Sequence, residues 1–175
     1  MENELKIDPR LVEEFLNFSK NIAEAPKLVA APDEIILETT PHDVAYTEDK
    51  VRLLHYKPLT STQSKVPLVI AYAIINRHHI LDIHPKKSWV RNLLEQGIDV
   101  YMIDWGSPTN IDKYLDMDDY VNVYLDHCVD FVKHESGTDN VSLQGYCTGG
   151  TLAAIYAALH PKNVKNLVAT APVID

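Results

Sequence analysis

In residues 140–153, NVSLQGYCTGGTLA, a cysteine lies between glycines where a strand-like pattern changes to a helix-like one. The apolar-leaning residues Val141 to Leu143 predict a short strand, and the alanine-rich run after the glycines predicts a helix. A cysteine in such a turn lies at the helix N-terminus, where free N–H groups and the helix dipole favour the thiolate. Gly145 and Gly149 flank Cys147 at positions where a Cβ would collide with the neighbouring strand or helix. The stretch therefore predicts an exposed, activated thiol.

The Gly-x-Cys-x-Gly turn resembles the nucleophile elbow of the α/β-hydrolase fold, with cysteine in place of the usual serine and with Gly150 extending the turn. In that fold the backbone N–H of Thr148 is expected to stabilise a developing oxyanion. The competing interpretation is a buried structural cysteine, because free cysteine is often buried and inert. The strand–elbow–helix context favours the nucleophile for Cys147. Cys128 follows the apolar spacing of a predicted helix and is expected in the core.

The rest of the chain alternates between predicted strands and helices. An amphipathic helix from Asp8 to about Glu24 and a linker are expected to form a first unit, residues 1–34, ahead of a core at 35–175. Predicted strands are Ile35–Tyr46, Val51–Tyr56, Val66–Ile75, Ile98–Ile103, Val141–Leu143 and Val164–Val173, and the helices of the core are Lys87–Gln96, Asp118–His134 and Leu152–Leu159. This alternation predicts an α/β fold with a mostly parallel sheet, flanking helices and a ligand site at the carboxyl ends of the strands.

Composition excludes several classes of function. The net charge of −9 and the pI near 5.3 argue against a nucleic-acid partner, which would need clustered Lys and Arg. The polar N-terminus shows no signal peptide, and no apolar run reaches the roughly 18 residues of a transmembrane segment. Cys128 and Cys147 show neither metal-ligand spacing nor a disulfide framework, so no metal and a reducing cytoplasmic location are expected.

Three stretches together resemble polyhydroxyalkanoate synthases, and most of all their class III catalytic subunit. Gly145–Gly150, GYCTGG, is similar to the lipase-like box of that family, in which cysteine replaces serine. The other matching stretches are VPLVI at 66–70 followed by IINR at 74–77 and ILD at 80–82, and GIDVYMIDWG at 97–106. The resemblance is clear from Val66 to Asp175 and looser over the whole chain.

The resemblance implies an acyltransferase that polymerises (R)-3-hydroxyacyl-CoA into a polyester, with release of CoA. Cys147 would carry the acyl group as a thioester, and the N–H groups of Thr148 and Ile75 would form the oxyanion hole. No cofactor is expected beyond the CoA of the substrate. The family also implies a partner subunit, an oligomer and attachment to polyhydroxyalkanoate granules. Residues that bind the substrate are not assigned by the motifs.

The acid and the histidine of a catalytic triad are not evident after Cys147. His160 lies 13 residues further along the predicted helix, which at 1.5 Å per residue is roughly 20 Å away and outside hydrogen-bond reach. Asp175 is the last residue and is not assigned as the acid. The expectation is an N-terminal part of a synthase, with a sheet cut after the strand that follows the nucleophile helix and no catalytic turnover by this segment alone.

Other polar residues have less certain interpretations. His78 and His79 are expected to be exposed loop residues rather than substrate contacts, and Asp104 to have a structural hydrogen-bonding role. Trp105 could shape an acyl pocket or pack in the core, while Lys86 and Lys87 could be a solvated pair or meet a CoA phosphate. Two alternatives to the synthase stay open: a cysteine α/β-hydrolase acting on esters or lactones, and a non-catalytic binding module.

Overall fold

A computed structural model describes residues 39–174, together with Glu13, Leu16 and Ser19. The chain divides into two compact units, 1–36 and 37–175, and the fold given below is that of the second. The predicted helix between Asp8 and Glu24 falls almost entirely outside the described residues, as does the start of the strand predicted from Ile35. The predicted domain boundary at residue 34 stays a prediction.

Six strands form one mixed sheet, as the alternating pattern predicts. Their bounds are β1 His42–Glu48, β2 Val51–Tyr56, β3 Leu68–Ala71, β4 Val100–Asp104, β5 Val141–Tyr146 and β6 Val164–Thr170. The order across the sheet is β1-β2-β4-β3-β5-β6. Strand β2 is antiparallel to both β1 and β4, whereas the pairs formed by β3, β4, β5 and β6 are parallel. The predicted fold class, a mostly parallel α/β sheet, is confirmed.

Helices connect the parallel strands. They are α1 Trp89–Glu95, α2 Asp126–Ser136 and α3 Thr148–Leu159. A π-helical segment, Asp119–Leu125, leads directly into α2, and two 3₁₀ helices occupy His78–Asp82 and Asn110–Tyr114. Ser88 caps α1, because its hydroxyl accepts from the N–H of Arg91 at 2.9 Å. The helix predicted over 118–134 therefore has the right location, but its first half winds more loosely than an α-helix.

The core fills both faces of the sheet. Alternate residues of β3 separate the two sides: Val69 and Ala71 pack with α2 and α3, while Leu68 and Ile70 pack with α1. A strand covered on both faces needs apolar residues at every position, which explains the continuous apolar run in the sequence. Cys128 is completely buried against the first side, as predicted.

Two predicted strands extend beyond the carboxyl ends of the observed ones. Strand β3 ends at Ala71 instead of Ile75, beside Ile103 of β4 and Gly145 of β5. Strand β6 ends at Thr170 rather than at Val173. Apolar composition predicts the extent of burial, but a strand ends where its neighbours stop offering hydrogen bonds. Residues 72–77 therefore form a loop at the carboxyl edge of the sheet, next to the end of β5.

Candidate active site

Cys147 lies in the tight turn between β5 and α3. Its backbone has φ 55° and ψ −124°, a conformation that side chains rarely adopt and that costs about 1–3 kcal/mol. Two hydrogen bonds hold the turn: the N–H of Cys147 donates to the carbonyl of Thr170 at 2.9 Å, and the N–H of Gly150 donates to the carbonyl of Cys147 at 2.8 Å. The thiol is partly exposed at the start of α3, as an elbow nucleophile requires.

Three glycines allow the helix to approach the sheet at this turn. A Cβ on Gly149 would overlap the carbonyl oxygen of Ala71 and lie 2.5 Å from that of Tyr72. A Cβ on Gly145 would overlap the backbone of Gly149 and Gly150. At Gly150 the fit is less tight, with the side chain of Pro172 3.0 Å away. Because these neighbours are mostly backbone, the elbow cannot form around larger residues without moving α3 away from β3.

The loop after β3 reaches the elbow through Ile74. The N–H of Ile74 donates to the hydroxyl of Thr148 at 3.3 Å. Ile75, the residue predicted from the family resemblance to supply an oxyanion donor, is 78% exposed. Thr148 is the first residue of α3, so its own N–H has no partner within the helix. The oxyanion roles of Thr148 and Ile75 stay predictions, and the contact that the structure provides between the two segments is made by Ile74.

An aromatic pair borders the nucleophile. The rings of Tyr72 and Tyr146 stack with centroids 5.3 Å apart, and both residues pack in the same apolar cluster as Cys147. Burial raises the pKa of Tyr72, with smaller contributions from Tyr146 and Cys147. Sequence reasoning missed Tyr72, because a tyrosine inside an apolar run is indistinguishable from other core residues until the strand end is known.

Asp104 is buried at the carboxyl end of β4 and accepts several contacts. The guanidinium of Arg52 donates to it at 2.5 and 3.0 Å, the N–H of Gly106 donates at 3.0 Å, and Nδ1 of His78 lies 3.1 Å away. Burial alone would raise the pKa of Asp104, but the contacts with His78 and Arg52 outweigh it and hold that pKa well below its usual range. Asp104 thus has the structural role that its place in the sequence suggested.

Two of the less certain interpretations are settled by burial. His78 is only 5% exposed, so its interpretation as an exposed loop residue is wrong, because the loop folds inward onto Asp104. Trp105 is also 5% exposed and packs edge-to-face on Tyr120, while its indole N–H donates to the carbonyl of Tyr72 at 2.7 Å. Trp105 therefore belongs to the core.

The structure gives His160 a role away from Cys147. Its Nε2 lies 2.9 Å from the side-chain oxygen of Asn122, and its ring stacks on Tyr156 at the end of α3. Asp175 is outside the described residues. Within the part of the chain that the structure describes, no group of three or more metal-ligating side chains occurs.

The same described part contains no helix that is long and apolar enough to cross a membrane.

Comparison with known proteins places this geometry in a family. Residues 66–175 match the family model described as alpha/beta hydrolase fold, and residues 34–93 match that of the poly-beta-hydroxybutyrate polymerase (PhaC) N-terminus. In solved structures, the Francisella virulence factor BioJ superposes with a TM-score of 0.61 at 16% identity, covering 86% of this chain and 50% of that one. The chain belongs to the α/β-hydrolase fold family.

Within that fold, the resemblance to polyhydroxyalkanoate polymerases is confirmed by named relatives. Poly(3-hydroxyalkanoate) polymerase subunit PhaC of Haloferax mediterranei is 54% identical over 134 residues, which cover 77% of this chain and 27% of the relative. The subunit of the same name from Allochromatium vinosum is 38% identical over 168 residues, or 95% of this chain and 47% of the relative. The chain thus spans about a quarter to a half of the length of these relatives.

Proposed function

We propose that this chain supplies the nucleophile of a polyhydroxyalkanoate polymerase and that Cys147 carries (R)-3-hydroxyacyl groups taken from CoA. The observation that carries the proposal is a cysteine held in a strained elbow at the N-terminus of α3, in a chain related to such polymerases. The thiol is partly exposed at that N-terminus, beside the N–H of Thr148 that has no partner within the helix.

The proposed reaction has two steps. The Cys147 thiolate attacks the acyl-CoA thioester, an oxyanion forms, and CoA leaves as its thiolate while the acyl group stays bound to Sγ as a new thioester. The hydroxyl of a growing polyester chain then attacks that thioester, loses its proton to a base, and forms an oxoester as the Cys147 thiolate is released. Cysteine suits these two reaction steps because a thioester keeps the acyl group activated, whereas serine would hold it as an oxoester.

The base that deprotonates the chain-end hydroxyl is proposed to lie outside the described residues. His160 is bonded to Asn122 and stacked on Tyr156 at the far end of α3, so we do not propose it as that base. The class III partner subunit, an oligomer and attachment to polymer granules belong to the same proposal, because they rest on the family resemblance alone.

Intact mass after incubation with 3-hydroxybutyryl-CoA tests the proposal. We expect one acyl adduct on the wild-type protein and on Cys128→Ala, and none on Cys147→Ala. Cys128 is a matched control because it is completely buried, and burial raises the pKa of its thiol to about 12, which leaves it protonated. Release of free acid without polymer would favour the hydrolase that acts on esters or lactones. A folded protein without any adduct would contradict the nucleophile and favour a binding module.

The hydroxyl of Thr148 should affect the rate of acylation. Thr148→Val removes the acceptor for the N–H of Ile74 and frees the loop after β3 from the elbow. We expect acylation of Cys147 to slow about tenfold, as the loss of one hydrogen bond worth roughly 1–1.5 kcal/mol implies. Thr148→Ser keeps the hydroxyl and should stay within about twofold of the wild type. Equal rates for the two variants, measured by adduct formation over time, would contradict this role.

A further inference from the structure

Three basic side chains contact the last residue of β4 or the segment that follows it, at the carboxyl edge of the sheet. Arg52 is paired with Asp104, and Lys50 donates to Asp112 at 3.0 Å and to the hydroxyl of Tyr120 at 3.2 Å. The third, Arg77, donates to the carbonyl of Gly106 at 3.3 Å and to the hydroxyl of Ser107 at 2.8 Å. Among the described residues, Arg77 is the one of these three cations without a carboxylate partner.

The contacts of Arg77 orient its guanidinium group but leave its positive charge unpaired by any carboxylate that the structure describes. A guanidinium has five N–H donors, and the two contacts with neutral oxygen atoms use only two of them on this exposed residue. The segment that orients it is itself fixed, because Gly106 lies so close to the turn between β1 and β2 that a Cβ would overlap the carbonyl of Lys50. The positive charge is therefore held in place and available to an anion.

Arg77 is also close in sequence to Ile74, the residue through which its loop contacts the elbow. It follows Ile74 by three residues, which span at most about 11 Å, and the N–H of Ile74 is bonded to Thr148, the neighbour of Cys147. A guanidinium at the end of a long side chain on this loop can thus reach an anionic group that is well separated from a reacting thioester at Cys147.

We propose that Arg77 binds a phosphate of the CoA moiety of the acyl-CoA substrate. The inference rests on the proposed function, which makes an acyl-CoA thioester the substrate of Cys147. CoA carries several phosphate charges at the far end of its pantetheine arm, and the protein has a net charge of −9, so binding needs a local cation. The planar fork of arginine matches a phosphate with two parallel hydrogen bonds.

Two thioesters with the same acyl group, one with phosphates and one without, test whether Arg77 binds a phosphate or only positions its loop. Arg77→Ala should lower the acylation rate constant with 3-hydroxybutyryl-CoA roughly 10- to 100-fold at low salt, as expected for lost hydrogen bonds to a charged group. It should leave the rate with 3-hydroxybutyryl-N-acetylcysteamine, which has no phosphate, within about twofold of the wild type. Arg77→Lys should recover part of the loss. Arg91→Ala, at an arginine on α1 that pairs with Glu95, is the matched control and should change neither rate.

Direct binding of free CoA keeps the test independent of acylation. We expect Arg77→Ala to weaken the binding of CoA about tenfold or more by titration calorimetry. Equal losses with both thioesters would assign Arg77 to positioning the loop and would overturn the proposal, as would unchanged binding of CoA. A wild-type protein that binds CoA but is acylated by neither thioester would contradict the proposed function. In that case the ratio of the CoA affinities of wild type and Arg77→Ala would still decide the role of Arg77.

Discussion

Replacing Gly149 with alanine should lower the free energy of unfolding by more than about 4 kcal/mol, an exceptional loss for one methyl group. The added Cβ would overlap the carbonyl oxygen of Ala71 and lie 2.5 Å from that of Tyr72. Both are backbone atoms at the end of β3, so no side chain can rotate away to relieve the contact. The helix α3 would have to move off the sheet, and the elbow with it.

Chemical denaturation of Gly149→Ala and Gly137→Ala measures this loss against a matched control. Gly137 ends α2 at φ +63°, and a Cβ there would meet no atom within 4 Å. Its substitution should cost only the roughly 1 kcal/mol of a left-handed conformation. Similar denaturation midpoints for the two variants would show that the close approach of α3 to β3 does not limit stability.

Asp104→Asn should destabilise the protein by about 2 kcal/mol at neutral pH. The carboxylate is buried and is contacted by Arg52, His78 and the N–H of Gly106, and hydrogen bonds to a charged group contribute about 1.5–3 kcal/mol. We expect the loss of stability to stay within the range for one such bond. The side chain of Arg52 is 48% exposed, so water screens its attraction to Asp104. Asparagine keeps the size of the side chain and removes the charge.

The effect of this substitution should depend on pH in a defined direction. The pKa of Asp104 is lowered by folding, so its stabilising contribution is present above its unfolded value near 3.9 and is lost as the pH falls below that. The difference in unfolding free energy between wild type and Asp104→Asn should therefore narrow from pH 6 to pH 3. Asp130→Asn, which removes an exposed pair with Lys133, should cost under about 1 kcal/mol at either pH. If the difference in unfolding free energy between wild type and Asp104→Asn stayed constant from pH 6 to pH 3, the lowered pKa of Asp104 would be contradicted.

Local patterns were sufficient to predict the fold. Apolar runs identified the central strands β3 and β4, and helical spacing located α2 and placed Cys128 in the core. The glycines around Cys147 predicted the elbow, because Gly145 packs against Gly149 and Gly150 within one short segment. Each of these features depends on residues that are neighbours in the sequence.

The remaining features of the site depend on residues that are far apart in the sequence. Which residue of the loop after β3 contacts Thr148 is set by where β3 ends, and that is fixed by pairing with β4 and β5. The burial of His78 follows from its contact with Asp104, which lies 26 positions later in the sequence. Hydrophobic periodicity does not predict such contacts, so those of Ile74, Arg77 and His78 became evident only from the structure.

The backbone of Cys147 also shows what folding alone would favour at this position. A φ of 55° with ψ near −124° suits glycine, and any side chain there weakens the native state. Selection for stability alone would therefore favour glycine at position 147, because glycine adopts this backbone conformation without strain. If Cys147 is the nucleophile that we propose, its strained backbone represents a trade-off in which stability is given up for chemistry.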